Sequence, residues 1–152
     1  MMKKLMVAAV LVAFTGLASA TELGVNVSRN FGGTENVNGP GMTLGQKFGD
    51  AGVTLGFDKY TNATMDQNRY SLVGSYNVAK FGTTSLALKA GAGYLSNQAT
   101  VANGFVALVG VGVEVPMMKN VALTFDYLHQ VGETRVKAFN GNTLNAGIKV
   151  SF

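Results

Sequence analysis

The stretch Asn142–Phe152 reads NTLNAGIKVSF and alternates between apolar residues and polar or small ones. A period of two is typical of a β-strand with two unlike faces, because successive side chains point to opposite sides of a sheet. The stretch therefore predicts a strand with one apolar and one polar face. The apolar face carries Leu144, Ala146, Ile148, Val150 and Phe152, and the other face carries Thr143, Asn145, Gly147, Lys149 and Ser151.

Seven earlier segments show the same alternation, and residues that favour turns separate them. In one of them, valine occupies every second position from Val109 to Val115, against Gly110, Gly112 and Glu114. The pattern predicts an all-β fold of eight antiparallel strands. The predicted strands cover about residues 22–30, 41–48, 53–61, 68–78, 84–95, 104–115, 120–130 and 142–152.

The connections between the predicted strands alternate between long and short. In an up-and-down meander, successive connections lie at opposite ends of the sheet, so one end carries all the long loops and the other all the short turns. We call these the long-loop end and the short-turn end. The long connections are residues 30–39, 61–67, 96–103 and the stretch from 130 to about 141; the short ones are 49–52, the residues around 80–82, and 116–119.

Composition decides which face of the strands meets water. The 152 residues are 47% hydrophobic and only 13% charged, whereas about 25% charged is typical of soluble domains. Apolar and polar side chains alternate along the strands of soluble barrels and of membrane barrels alike. The apolar side chains point into the core of a soluble barrel and outward to lipid in a membrane barrel. The polar face here is built largely of Gly, Ala, Ser and Thr, which suits a narrow interior. The apolar face is therefore predicted to meet lipid.

Aromatic residues near the strand ends support the same orientation. Two girdles of aromatic side chains on either side of an aliphatic band are expected where strands cross both membrane interfaces. Phe48, Tyr76 and Phe152 mark the short-turn end, and Phe57, Tyr70, Tyr94, Phe105 and Tyr127 mark the long-loop end.

The amino terminus predicts export from the cytoplasm. Lys3 and Lys4 precede an apolar run from Leu5 to Leu17, and Ala18–Ala20 offers the small residues that signal peptidase accepts. Residues 1–20 are therefore predicted to be a signal peptide, and residues 21–152 one barrel domain. Spanning strands need about 9–11 residues each, so eight of them use roughly 72–88 residues and leave enough for the loops. The fold class predicted is an eight-stranded antiparallel up-and-down transmembrane β-barrel.

This layout resembles the small outer-membrane barrels of Gram-negative bacteria, the OmpA/OmpX-like class. The carboxyl end carries the most specific part: Asn145, Gly147, Val150 and the terminal Phe152 are similar to the C-terminal assembly signal of that class. The resemblance implies recognition by the barrel-assembly machinery and periplasmic chaperones. It also implies a place in the bacterial outer membrane, among outer-membrane lipids and lipopolysaccharide.

The orientation places eight charged residues in the lumen. Four of each sign leave the lumen formally neutral, and charges in a low-dielectric interior must be paired or hydrated. A balanced set predicts ion pairs that plug the lumen, whereas an ion-selective pore would carry an excess of one sign. The alternative is that these pairs form a gate, which opens when the charged residues exchange partners. The set is Glu22, Lys47, Asp58, Arg69, Lys89, Glu114, Asp126 and Lys149.

The sequence offers no catalytic constellation and no cofactor site. His129 is the one histidine, and lipid A deacylases carry a His-x-Ser motif, but Val131 stands where that serine would be. A single histidine and no cysteine exclude thiolate and histidine-rich metal centres. The net charge of +4 without a basic cluster argues against nucleic-acid binding.

We therefore expect a monomeric outer-membrane barrel with a structural or surface-interaction, adhesin-like role, not an enzyme. A narrow, porin-like passive channel for small solutes is the alternative. The last long loop contains Arg135 and Lys137, which could contact lipopolysaccharide phosphates or be ordinary solvated charges. The extracellular ligand of such a loop stays unidentified.

Overall fold

The computed structural model describes residues 20–34, 36–62, 66–97 and 103–152, and these form eight β-strands and one short 3₁₀ helix. The predicted signal peptide falls on residues outside this range, except for Ala20, which begins the first strand. The strands are β1 Ala20–Phe31, β2 Val37–Phe48, β3 Ala51–Thr61, β4 Asp66–Phe81, β5 Thr84–Asn97, β6 Gly104–Met118, β7 Val121–Gly132 and β8 Gly141–Ser151, with the 3₁₀ helix at Thr134–Phe139.

The eight strands form one closed barrel in which every strand pairs antiparallel with its neighbours in sequence, and β8 pairs with β1. The predicted all-β, eight-stranded up-and-down fold is therefore confirmed. Reciprocal backbone hydrogen bonds between Thr21 and Phe152 extend the closing pair of strands. Among the described residues there is no helix long and apolar enough to cross a membrane.

The strands are staggered as they pass round the barrel. Following paired residues once round from Thr21 returns to Phe31, ten residues further along β1. With eight strands, this stagger corresponds to a strand tilt of about 40°, and such a barrel is just wide enough for side chains to fill it. Going round the barrel from β1 to β8, each paired residue therefore lies slightly closer to the long-loop end than the residue before it.

The two faces of the strands differ as the alternation predicts. Apolar side chains point outward and stay exposed, among them Val25 at 63% and Val109 at 58% of their surface. Inward positions carry small, polar and charged residues. Several inward glycines are required by close approach: a Cβ on Gly41 would collide with the Asp58 carboxylate. The barrel is consequently apolar outside and crowded inside.

Several strands extend beyond their predicted bounds, in part because each turn at the short-turn end takes up only two residues. The short turns are residues 49–50, 82–83 and 119–120, and Gly49 and Gly82 have φ values of 66° and 63°, which favour glycine. The stretch 116–119 was predicted to be a connection, but Pro116 lies within β6. A register shift between Pro116 and Met118 accommodates it, since proline cannot donate a ladder hydrogen bond.

Candidate functional site in the barrel lumen

The lumen at the short-turn end holds a cluster of four charges. Lys47 Nζ lies 3.2 Å from Glu22 Oε1 and 3.0 Å from Glu114 Oε1. Lys149 Nζ lies 3.0 Å from Glu22 Oε1 and also pairs with Glu114. The contacts cross the lumen between β1, β2, β6 and β8, so two carboxylates and two ammonium groups neutralise each other there.

A second ion pair lies further along the lumen. Lys89 Nζ on β5 is 2.6 Å from Asp126 Oδ1 on β7. Gly112 lies on β6 between them, and a Cβ at this position would collide with both side chains. The absence of a side chain at residue 112 therefore allows the pair to form across the intervening strand.

The third ion pair is the most deeply buried. Arg69 on β4 donates from Nη2 and Nε to Asp58 Oδ2 on β3, at 2.8 Å and 3.1 Å. Ser28 Oγ and Asn26 Nδ2 donate to the other oxygen of Asp58, at 2.8 Å and 2.9 Å. Only 2% of Arg69 and 5% of Asp58 is exposed. A buried pair with this many hydrogen-bond partners fixes the positions of both charges.

Arg69 also contacts the strands on the far side of the barrel. Its Nη1 donates to Gln130 Oε1 at 3.0 Å and to Thr143 Oγ1 at 3.3 Å, and its guanidinium carbon lies 5.2 Å from the centre of the Tyr60 ring. Residues of β3, β4, β7 and β8 thus meet in one layer, which we call the Arg69 layer.

An apolar cluster lies between the Arg69 layer and the long-loop end. The 3₁₀ helix Thr134–Phe139, which we call the cap, turns Val136 and Phe139 into the barrel mouth, where 0% and 2% of their surface is exposed. The two side chains pack on inward-facing residues of the strands. The cluster comprises Val37, Tyr60, Leu95, Val106, Leu108, Val136 and Phe139.

Polar contacts and two glycines hold the cap in place. The carbonyl oxygen of Phe139 accepts hydrogen bonds from Gln130 Nε2 at 2.9 Å and Asn30 Nδ2 at 3.1 Å. Val136 lies against Gly104 and Gly132; a Cβ on Gly132 would approach its Cγ2 to 2.5 Å. The cap therefore depends on missing side chains in β6 and β7.

The lumen is more open toward the short-turn end. An internal cavity of about 120 Å³ extends from Glu22 and Lys47 to Asp58 and Arg69, which is room for several water molecules. Among the ion-paired side chains that line it, Lys47 is the most exposed at 31% and Arg69 the least at 2%. In the described part of the barrel, this polar cavity reaches the Arg69 layer, and the apolar cluster lies beyond that layer.

The structure brings all eight lumen charges named from the sequence into ion pairs, in three groups. Asn145, Gly147 and Val150 lie on β8, and Phe152 follows it beside Thr21. Arg135 and Lys137 lie on the cap, exposed. His129 Nδ1 lies 3.1 Å from Asn142 Oδ1 on the neighbouring strand.

Sequence reasoning missed the cap and the apolar cluster beneath it. The sequence draws attention only to the cations Arg135 and Lys137 of the last loop, whereas in the structure Val136 and Phe139 of the same loop turn inward. One signal was present: Leu95, Val106 and Leu108 are large apolar residues at inward positions, where most others are small or polar. Bulky apolar residues on the wet face of a barrel indicate a plug from elsewhere in the chain.

Comparison with known proteins supports the class of fold. No protein-family model matches the chain, and no curated protein matches it in sequence. The barrel is similar to neisserial surface protein A, NspA, with a TM-score of 0.64 and 19% identity over 88% of this chain and 96% of that one. It is similar to the N-terminal barrel of Pseudomonas aeruginosa OprF, with a TM-score of 0.68 and 16% identity over 89% and 98%.

A third similar structure is Ail, the attachment invasion locus protein of Yersinia pestis, in complex with the heparin analogue sucrose octasulfate. Its TM-score is 0.58, with 15% identity over 88% of this chain and 98% of that one. The identities are low, so the likenesses show the fold. The chain has the fold of the small outer-membrane β-barrels, the class that its sequence resembles.

Proposed function

We propose that this chain is an integral outer-membrane protein with a structural or surface-interaction role and a lumen plugged by its own side chains. Its outward faces carry exposed apolar residues on every strand except β3, including Val25, Leu72, Leu88 and Ile148. A continuous apolar band of this kind is stable in lipid and unfavourable in water. Export with cleavage after Ala20 and insertion by the barrel-assembly machinery belong to the same proposal.

The plug is the observation that carries the proposal of a non-conducting barrel. A solute that enters from the short-turn end meets the Arg69 layer and then the side chains of Val136 and Phe139, of which 0% and 2% is exposed. Passage requires breaking the pair between Arg69 and Asp58 and displacing the cap. Both changes cost free energy that a diffusing solute does not supply.

A surface-interaction role rests on the exposed side of the cap. Val136 and Phe139 point inward while the neighbouring Arg135 and Lys137 stay exposed. Ail has been crystallised in complex with a heparin analogue, and exposed cations on the cap of this chain suit a sulfated or phosphorylated partner. Arg135 and Lys137 would contact lipopolysaccharide phosphates or an extracellular polyanion.

An enzymatic role is not part of the proposal. His129 shares a hydrogen bond with Asn142, and the inward charges are already engaged with each other.

Planar-bilayer conductance of the refolded protein tests the plug against the channel alternative. The wild type should show no steady conductance, and the Val136→Ala, Phe139→Ala double variant should conduct small ions. Phe81→Ala is the matched control, because this outward phenylalanine is 70% exposed at the opposite end of the barrel. Steady ohmic conductance of the wild type would support the passive channel instead.

A further inference from the structure

The outer surface of the barrel carries one groove that its apolar band does not explain. The groove has a volume of about 460 Å³ and runs over β6, β7, β8 and β1. Its walls are the outward side chains Phe125 and Tyr127 on one side and Val27 on the other, and its floor is Ala146. Polar atoms contribute almost nothing to it.

The groove exists because of one small residue. Ala146 pairs with Phe125 on β7 and with Val27 on β1. Both neighbours are large, and 50% and 64% of their surface is exposed. A methyl group between such side chains leaves a channel along β8, and Leu144 bounds it toward the long-loop end.

A cation lies at the long-loop end of the groove. Arg29 lines it, points outward from β1 and is exposed; among the described residues it has no ion-pair partner. Tyr127 on β7 pairs with Leu144 on β8, and Leu144 pairs with Arg29 on β1. Because paired residues approach the long-loop end in this order, Arg29 lies closer to that end than Tyr127. Arg29 thus stands at the level where headgroups begin, and its long side chain can reach them.

We propose that this groove binds a phosphorylated lipid of the membrane, with an acyl chain over Ala146 and the phosphate on Arg29. This inference rests on the proposed residence in a membrane. An apolar channel that ends at an unpaired guanidinium complements a hydrocarbon chain that ends in an anion, and guanidinium groups bind phosphate in a bidentate manner.

A second copy of the chain fits the groove less well than a lipid. A partner barrel would have to present an acid to Arg29. On the outward faces of the described strands, the alternation of side chains places only one acidic residue, Asp66, which is the first residue of β4. Every other acidic residue of those strands points into the lumen, where it is paired.

Fluorescence quenching in vesicles tests the site. The chain has no tryptophan, so Tyr127→Trp places one reporter in the groove and Tyr70→Trp places another on β4, at the same girdle. The probe is phosphatidic acid with brominated acyl chains, at low mole fraction in phosphatidylcholine. We expect brominated phosphatidic acid to be enriched about fivefold at the groove reporter relative to the β4 reporter, because one basic residue near the surface favours an anionic lipid to that extent.

Three variants in the Tyr127→Trp background make the test specific. Arg29→Gln should reduce quenching to the level of the β4 reporter, and Ala146→Leu should do the same by filling the floor. Lys59→Gln is the matched control: Lys59 also points outward from β3, at about the same height as Arg29, but does not line the groove. It should leave quenching unchanged.

Two results would overturn the proposal in different ways. Equal quenching of both reporters in folded, inserted protein, or no effect of Arg29→Gln, removes the lipid site and leaves the membrane barrel intact. Failure of the wild type to insert, measured by heat-modifiable migration and strand content, removes the proposed membrane residence and the site with it.

Discussion

Arg69 in the barrel wall and Phe139 in the cap are joined through one side chain, the amide of Gln130. Arg69 Nη1 donates to Gln130 Oε1 at 3.0 Å, and Gln130 Nε2 donates to the carbonyl oxygen of Phe139 at 2.9 Å. Because Arg69 also binds Asp58, the contacts run without a break from an ion pair to the apolar cluster. The layer and the cap should therefore loosen together.

Replacing Gln130 by glutamate separates the two halves of this connection. Gln130→Glu keeps an oxygen that accepts from Arg69 but loses the donor to Phe139, so the cap should lose about 1–3 kcal/mol of local stability. Hydrogen exchange of the Val136 and Asn140 amides, which bond to Glu133 and Lys137, should be faster. Gln46→Glu at the short-turn end is the matched control. Unchanged exchange in Gln130→Glu would show that the cap stands without this tether.

Asp58 and Arg69 should be energetically coupled. Arg69→Ala leaves a carboxylate in a confined interior, which costs about 3–5 kcal/mol when the site is dry and less when water reaches it. The Asp58→Ala, Arg69→Ala double variant should lose less than the two single changes together, because neither charge stays unpaired. Denaturant unfolding of all four proteins in lipid vesicles measures this. Additive losses would mean that water hydrates each residue independently.

The glycine beneath the cap should be intolerant of even a methyl group. Gly132→Ala places a Cβ 2.5 Å from Val136 Cγ2, so the cap must shift outward, and overpacking of this kind typically costs about 1–3 kcal/mol. Gly74→Ala is the control, since its Cβ would point outward and meet nothing closer than 3.6 Å. Ion conductance and cap hydrogen exchange should rise in the first variant alone. A silent Gly132→Ala would show that Val136 repacks freely.

Period-two alternation was sufficient to predict the barrel, because it depends only on neighbours within one strand. Asp58 and Arg69 could be placed side by side for the same reason: they lie on adjacent strands, directly opposite each other. The contact between Lys47 and Glu114 could not be predicted, since it crosses the lumen from β2 to β6 and depends on the barrel radius and stagger.

The cap could not be predicted for a related reason. Val136 and Phe139 are three residues apart, which suits one turn of 3₁₀ helix, but polar residues surround them and the segment is too short to show a period. Their burial depends on Gly104 and Gly132 in strands β6 and β7 and on Asn30, far away in β1. None of these relationships is local in sequence.

Sidedness can be measured with single cysteines in a chain that has none of its own. Asn36 and Arg135 are exposed at the long-loop end, and Thr83 is exposed at the short-turn end. The three single variants are Asn36→Cys, Arg135→Cys and Thr83→Cys. On intact cells, an impermeant thiol reagent should label the first two and spare the third. All three should react after the cells are lysed. Equal labelling of both ends before lysis would contradict the assigned orientation.

Variants of Phe152 can distinguish closure of the barrel from its assembly in the cell. The backbone of Phe152 exchanges hydrogen bonds with Thr21, at 2.9 Å and 3.4 Å, while its ring is exposed on the outward side. Phe152→Ala keeps both backbone bonds and removes only the ring, so the variant should refold in vesicles with nearly the stability of the wild type.

In cells, Phe152→Ala should insert poorly, because the resemblance to outer-membrane barrels assigns the terminal aromatic ring to recognition by the assembly machinery. Fractionation should show less protein in the outer membrane and more in the periplasm, where proteases degrade it. Phe152→Tyr keeps an aromatic ring and should restore the yield, whereas deletion of residue 152 removes the ring and the backbone bonds and should be worst. The decisive comparison is between refolding and cellular yield. A Phe152→Ala variant that fails equally in both assays would place its defect in barrel stability, and normal yield in cells would remove Phe152 from the assembly signal.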